Sequence, residues 1–168
     1  MNKAMEHTEP EVISTPIDKK RDFIKVKKSS IQGFGVFAKK KIPKGTRIIE
    51  YLGFRTNSKD LKKDLKNGLT IENYCIATSF GVIIDGNRNG NDARFVNHSC
   101  NPNCETYSFD EKLYIYADRE ILRGEELTFD YKLKSMNKNS KPSIIELDKY
   151  KCNCGSENCR GIMIALKK

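Results

Sequence analysis

R-F-V-N-H-S-C-N-P-N-C, residues Arg94–Cys104, sets two adjacent polar side chains, Asn97 and His98, directly after the apolar Phe95 and Val96. Polar groups drawn into an apolar surround are hydrogen-bonded, so this pair is expected to sit half-buried in a network. Further on, Glu125–Tyr131 read E-E-L-T-F-D-Y, and Cys152–Cys159 read C-N-C-G-S-E-N-C. Alone, an Asn-His pair fits a satisfied core network as well as a ligand site. Three such runs in this order carry more weight than any one of them.

The cysteine run allows the firmest chemical inference. Cys152, Cys154 and Cys159 offer three thiols within eight residues, around a Gly-Ser turn. Structural zinc is almost always held by four ligands in a tetrahedron, so a fourth is needed from Cys75, Cys100, Cys104 or His98. The N-terminus M-N-K-A-M-E-H-T-E-P-E has no apolar core, so no Sec-type signal peptide is expected. Metal ligands and free thiols are therefore favoured over disulfides, and Cys-x-Cys is a poor disulfide spacing.

Working outward, 168 residues with 38% hydrophobic and 32% charged content suit one polar globular domain. No apolar run approaches the ~20 residues of a membrane span, and no membrane partner is expected. The formal net charge is +9, with lysines grouped at Lys19–Lys28, Lys39–Lys44, Lys59–Lys66 and Lys132–Lys141. Such a surface favours encounter with polyanions, DNA and nucleosomes among them. It fits a Lys- and Asn-rich proteome equally well.

Residues 1–22 are polar, carry Pro10 and Pro16 and show no periodicity, so a flexible tail is expected. From Phe23 the chain reads as short strands: F-I-K-V-K, then V-F-A-K-K-K-I after a glycine-bearing turn, then R-I-I-E-Y-L, Y-C-I-A-T, G-V-I-I-D and L-Y-I-Y-A. K-D-L-K-K-D-L-K, with Leu61 and Leu65 four apart, predicts a short helix with one thin apolar stripe. Lys134–Pro142 is loop-like, and Ile144–Lys149 suits one helical turn. The fold class is mostly β with short helices. Gly33–Ala38 matches G-x-G-x-x-A, but Pro43 and Gly45 cut off the helix that a dinucleotide site requires. The better reading is a hairpin turn whose glycines let the backbone approach a ligand.

Taken together, the runs resemble the SET domain, the lysine-methylating fold of chromatin methyltransferases, followed by its zinc-binding post-SET segment, over about Lys25–Gly161. The resemblance implies small curved sheets around a knot-like core. It divides the chain into a tail at 1–22, a SET domain at 23–133, a linker at 134–148 and a post-SET segment at 149–168. It also implies S-adenosylmethionine as cofactor, contacted by Gln32, Gly33, Phe34, Tyr74, Arg94, Asn97 and His98. Tyr131 is then the catalytic tyrosine, Tyr51 a second tyrosine of the lysine channel, and Phe129 the aromatic at the lysine's end. Cys100 completes the zinc site with Cys152, Cys154 and Cys159, which leaves Cys75 and Cys104 as ordinary buried thiols. One position departs from the family pattern: an acid usually follows Gly53, and here Phe54 stands there.

Methyl transfer is an in-line displacement by a neutral amine on a positively charged sulfonium. A free lysine, with a pKa of about 10.4, must first lose its proton, and a second cation in a water-poor channel favours that loss. No strong base is needed, so Glu125, Glu126 and Asp130 are expected to be structural or solvated acids. His98 is expected to be fixed in its network rather than to act as a base. At Phe129 a Tyr hydroxyl would anchor a water where a methylated amine must turn. Phe cannot, so di- and trimethyl-lysine products are expected.

The resulting expectation is a monomeric protein lysine methyltransferase acting on a histone tail or another basic protein, with nucleosome or DNA contact through its basic surface. Its setting would be the nucleus and chromatin, or a microbe or virus acting on host or own basic proteins. A catalytically inactive SET-like module that binds a basic tail is the alternative. A small zinc-bearing DNA-binding module is a third reading, and it leaves two of the three runs without a role.

Overall fold

The computed structural model describes residues 22–135 and 142–165. The expected tail therefore lies outside the described residues except for Asp22, as does the middle of the expected linker. In chain order the elements are β1 (Ile24–Lys28), β2 (Phe34–Ala38), β3 (Arg47–Glu50), β4 (Phe54–Thr56), α1 (Ser58–Lys66), β5 (Cys75–Ala77), β6 (Ile83–Asp85), β7 (Asn97–His98), β8 (Cys104–Phe109), β9 (Lys112–Ala117), β10 (Glu126–Phe129) and α2 (Ile144–Lys149). Two 3-10 turns, Glu72–Tyr74 and Asp92–Phe95, precede β5 and β7. The mostly β expectation holds.

Three small sheets divide the strands, in the orders β1-β2-β10-β7, β3-β9-β8 and β4-β6-β5. All pairings between neighbours are antiparallel except β10 with β7. The alternation read in β1 is realised: Val26 turns inward while Lys25 and Lys27 face out. Across the shared core, β2 supplies Val36, β9 Ile115 and β10 Leu127, each fully buried. Burial of one such side chain is worth about 1.5–3 kcal/mol, so these short strands are stable as a closed set rather than singly.

Helix α1 begins where the sequence allows it. The Asn57 side-chain oxygen accepts from the N–H groups of Lys59 and Asp60, while Asp60 at the start and Lys63 and Lys66 at the end complement the helix dipole. None of its residues is buried, as a thin stripe predicts. Helix α2 opens with a capping box between Ser143 and Glu146.

Two edge strands escape the alternation rule. In β8 the pattern is C-E-T-Y-S-F with only Cys104 buried, because the strand is paired on one side and otherwise faces water. Strand β4 is three residues long and largely exposed. Its Phe54 lies under the Arg88 guanidinium, 4.2 Å from the ring centroid, and Arg88 in turn pairs with Asp64 and Asp85 at 2.8 and 2.7 Å.

Candidate active site

The parallel pairing of β7 with β10 builds the site. Its register sets Thr128 beside Asn97 and Phe129 beside His98, so residues 31 positions apart in the chain lie side by side. Asn103 holds them together. Its amide donates to the Glu125 carboxylate and to the Glu126 carbonyl at 2.9 and 2.8 Å, and its oxygen accepts from the Thr128 N–H. Glu125 also pairs with Arg119. Neither Glu125 nor Glu126 is a free acid.

Glu126 ties this seam to the glycine turn. Its carboxylate accepts from the Ser29 hydroxyl at 2.8 and 2.9 Å and from the Asn97 amide at 2.8 Å. The same Asn97 amide reaches the carbonyls of Gln32 and Phe34 at 3.3 and 3.0 Å. Gly33 sits at φ +48° in the turn, and Gly35 leaves room for the acid: a Cβ there would lie 2.1 Å from the Glu126 Oε1. The two glycines thus have separate reasons, one conformational and one steric.

His98 is buried with both ring nitrogens engaged. Its Nδ1 accepts from the Tyr131 N–H at 3.1 Å, which leaves the proton on Nε2, 3.4 Å from the Cys100 sulfur. Burial, reinforced by Arg160 and only partly opposed by Asp130, pushes its pKa down to about 4. A neutral ring with no free nitrogen is a scaffold, not a base. Asp130 therefore makes no ion pair with it. Its partner is Arg160, held by two bonds of 2.9 Å.

Tyr51 and Tyr131 are the two tyrosines whose hydroxyl protons are committed inward. Tyr131 donates to the Val96 carbonyl at 3.0 Å, and Tyr51 to the Tyr74 carbonyl at 2.9 Å. Burial drives both well above the ordinary tyrosine range, with Tyr131 adding to the effect at Tyr51 and Tyr74 to that at Tyr131. Phe129, buried, packs its ring 5.0 Å from that of Tyr131. Asn91 brackets Tyr51, donating to the Glu50 carbonyl at 2.8 Å and accepting from the Leu52 N–H at 3.2 Å. No spacing rule points to Asn91, Asn103 or Ser29, because each acts through contacts far along the chain.

The expected cofactor residues converge from separate elements. Phe34 and Tyr74 both pack on Phe95, with ring centroids 6.0 and 5.9 Å away, and the Arg94 guanidinium lies 4.7 Å from the same ring. Arg94 donates to the Gly86 carbonyl at 3.2 Å, while its buried Nε has no hydrogen-bond partner among the described residues. Gln32 and Gly33 are exposed, with their backbone held by Asn97 and Ser29. An aromatic wall, an exposed glycine turn with its backbone fixed in place and one unspent donor fit a cationic, purine-bearing cofactor.

Four sulfurs form a second centre against the first. Those of Cys100, Cys152, Cys154 and Cys159 all lie within 4.8 Å of one another, with Cys100 and Cys152 3.7 Å apart. A tetrahedron with zinc–sulfur bonds of about 2.3 Å has edges of about 3.8 Å, so the set fits structural zinc. Backbone N–H groups of Cys100, Arg160 and Gly161 point at three of the sulfurs, a pattern that favours thiolates. At Cys154 burial works against ionisation, but the Cys100 N–H and the Ser156 hydroxyl outweigh it and lower the pKa to about 5. Of the four candidates for the last ligand, Cys100 is the one in the cluster. Cys104 is buried elsewhere, and Cys75 is half-buried rather than buried, its thiol at the Ile71 carbonyl.

Comparisons with known proteins agree with this geometry. Residues 33–132 match the SET domain family model. The chain is 38% identical over 138 residues to histone-lysine N-methyltransferase ash1 of Drosophila melanogaster, covering 79% of this chain and 6% of that protein. It is also 38% identical over 143 residues to the H3 lysine-4 specific histone-lysine N-methyltransferase of Schizosaccharomyces pombe, 80% of this chain and 14% of that one. Human histone-lysine N-methyltransferase 2B is 36% identical over 146 residues, 83% and 5% of the two chains. Among solved structures, KRYPTONITE in complex with mCHG DNA and SAH superposes with a TM-score of 0.64 at 26% identity, covering 83% of this chain and 28% of that one. The chain thus spans a small part of each relative's length.

Proposed function

This chain belongs to the SET-domain family, and from that premise we propose that it transfers methyl groups from S-adenosylmethionine to lysine side chains of a basic protein. The observation that carries the proposal is the commitment of the Tyr51 and Tyr131 hydroxyl protons to backbone carbonyls. Each oxygen then keeps lone pairs for a substrate, while neither hydroxyl can serve as a base near neutrality, given the upward shifts. That suits an amine which arrives neutral and needs alignment more than deprotonation.

S-adenosylmethionine, when bound, supplies a methyl group on a cationic sulfur that departs as a neutral thioether. The turn at Gln32–Phe34, the rings of Phe34 and Tyr74, Arg94 and the backbone beside Asn97 and His98 would hold it. Ser29 and Glu126 keep that turn in place. The aromatic faces of Tyr51, Phe129 and Tyr131 would wall the lysine channel, exclude water and face the positive charge of the sulfonium, whose nearness would favour loss of the amine proton to solvent before transfer. With Phe rather than Tyr at 129, no hydroxyl there anchors a water, and methylation would continue to di- and trimethyl-lysine. Zinc would be held by Cys100, Cys152, Cys154 and Cys159, joining the C-terminal segment to the strand that carries His98.

SAH in the KRYPTONITE structure supports the cofactor assignment, and the names of the relatives support a histone or similar basic protein in chromatin as substrate. The test is incubation with labelled S-adenosylmethionine, core histones and the source cell's own basic proteins, read by mass spectrometry. Methyl-lysine is expected, with Tyr131→Phe slowing transfer by about 100-fold while cofactor affinity is kept. No transfer to any protein, with cofactor still bound, would leave the inactive tail-binding module as the reading. Turnover of Tyr131→Phe within a few-fold of wild type would remove that tyrosine from its role.

A further inference from the structure

The charge of this chain is placed unevenly. Residues 22–44 hold seven lysines and a single acid, Asp22, whereas residues 104–120 hold five acids against Lys112 and Arg119. Two of the seven, Lys41 and Lys44, reach back to Glu120 and Asp118 at 2.8 and 4.0 Å, and Lys39 pairs with Asp22. Lys25, Lys27, Lys28 and Lys40 have no acidic partner among the described residues, and all four are exposed.

Their placement follows from the hairpin. Strand β1 is an outer edge of its sheet, and among the described residues nothing is paired beyond it. Lys25 and Lys27 alternate onto one face of that edge, about 6.6 Å apart, and Lys28 ends the strand. Register sets Ile24 beside Ala38, which brings Lys40 to the other end of the same edge, its Nζ 4.5 Å from the Phe23 ring. Lys27 lies 3.9 Å from the centroid of Phe37. The ammonium groups of Lys27 and Lys40 thus rest on aromatic rings, and none of the four lysines is neutralised by an acid among the described residues.

We propose that this edge, Lys25, Lys27, Lys28 and Lys40, binds the phosphate backbone of duplex DNA, holding the enzyme on DNA-wrapped substrate. The inference rests on the chromatin reading of the site. Duplex is favoured over single strands by what the edge lacks. Single-stranded nucleic acids need exposed aromatic faces for base stacking, but Phe37 is buried and Phe23 is half-buried beneath Lys40. Exposed cations grouped along one sheet edge, without base-reading side chains, suit sequence-independent contact with phosphates. The β1–β2 turn at the far end of this hairpin is the Ser29–Gly33 turn of the candidate cofactor site, so DNA on the edge lies alongside the reacting centre.

Lysines on an edge strand also guard against strand-to-strand aggregation, and the two roles separate experimentally. Binding of the full chain to a labelled mixed-sequence duplex is measured by anisotropy across a salt series. Four phosphate contacts predict a slope of log affinity against log salt of about −3.6, from about −0.9 per contact. Replacing all four residues by Gln, which keeps stems over Phe23 and Phe37, should flatten that slope by about 3.6 units with an unchanged melting profile. The same replacement of Lys59, Lys62, Lys63 and Lys66 on α1 should leave it near wild type. Equal loss from the α1 variant, an unchanged slope in the edge variant, or tighter binding of a single strand of matched length would each overturn the proposal. DNA binding is read without turnover. An edge that binds DNA on a chain that transfers no methyl group would sink the catalytic reading and leave this one standing.

Discussion

The β7/β10 seam and the C-terminal segment from Cys152 to Ile164 meet at Cys100, yet they are held by different forces. At the seam, backbone pairing and fully or nearly buried side chains, Val96, Leu127 and Phe129, do the work, and Asn103 satisfies the polar groups left inside. The C-terminal segment has no strand beyond the isolated bridges Lys151–Ile162 and Leu133–Ile164, and its buried apolar residues are Cys152, Ile162 and Ile164. Four sulfurs and the Arg160–Asp130 ion pair take the place of a core there. Where a segment is too short to bury much surface, a metal is the usual substitute.

Removing the metal should therefore separate the two regions most clearly. Purified under reducing conditions, the protein is expected to carry one zinc per chain. A strong chelator should abolish hydrogen-exchange protection over residues 150–164 and reduce methyl transfer by about 100-fold, while β2, β9 and β10 stay protected. Cys100→Ser should lower the zinc content with the same local effect. Global unfolding on chelation would show that the division is wrong.

The converse substitution is Leu127→Ala. A fully buried leucine in β10 is expected to cost about 3 kcal/mol of domain stability, measured by urea denaturation, with zinc content unchanged in the folded protein. A loss confined to the C-terminal segment would reverse the comparison.

A smaller effect is expected from Arg160→Ala, which cuts the brace between the regions. Arg160 lowers the Asp130 pKa against the opposing effect of burial. Asp130 then contributes stability above the ordinary carboxylate range, and that contribution is lost as pH falls through its depressed folded value. The variant should lose about 1–2 kcal/mol at neutral pH and show a flatter acid limb in stability measured against pH. An unaltered acid limb would mean that the pair contributes little.

Phe129→Tyr should change stability least. Its effect belongs to the products: mass spectrometry at long incubation should show a shift towards monomethyl-lysine with little change in the first transfer. Wild-type enzyme that stops at monomethyl-lysine while cofactor remains would take Phe129 out of that role.

Much of this was legible in the chain. Alternation in F-I-K-V-K and L-Y-I-Y-A marked β1 and β9, and Leu61 with Leu65 marked α1, because period and burial are local properties. Strands β4 and β8 were not legible, since edge strands exposed to water need not alternate. Tyr51, Tyr131 and the three clustered cysteines stood out by residue type and motif. Asn91, Asn103, Ser29 and Arg160 did not, because their importance lies in what they touch.

Residue types and short spacings thus settled the available chemistry: three thiols awaiting a fourth, tyrosines suited to an amine, and an excess of lysine near the start of the domain. Which groups meet was a tertiary decision. Ser29 and Glu126 are 97 positions apart, and Cys100 and Cys152 are 52 apart. Their meeting depends on the parallel register of β7 against β10 and on closure of a common core. Register and closure are cooperative properties of the whole chain, so no local window of sequence contains them.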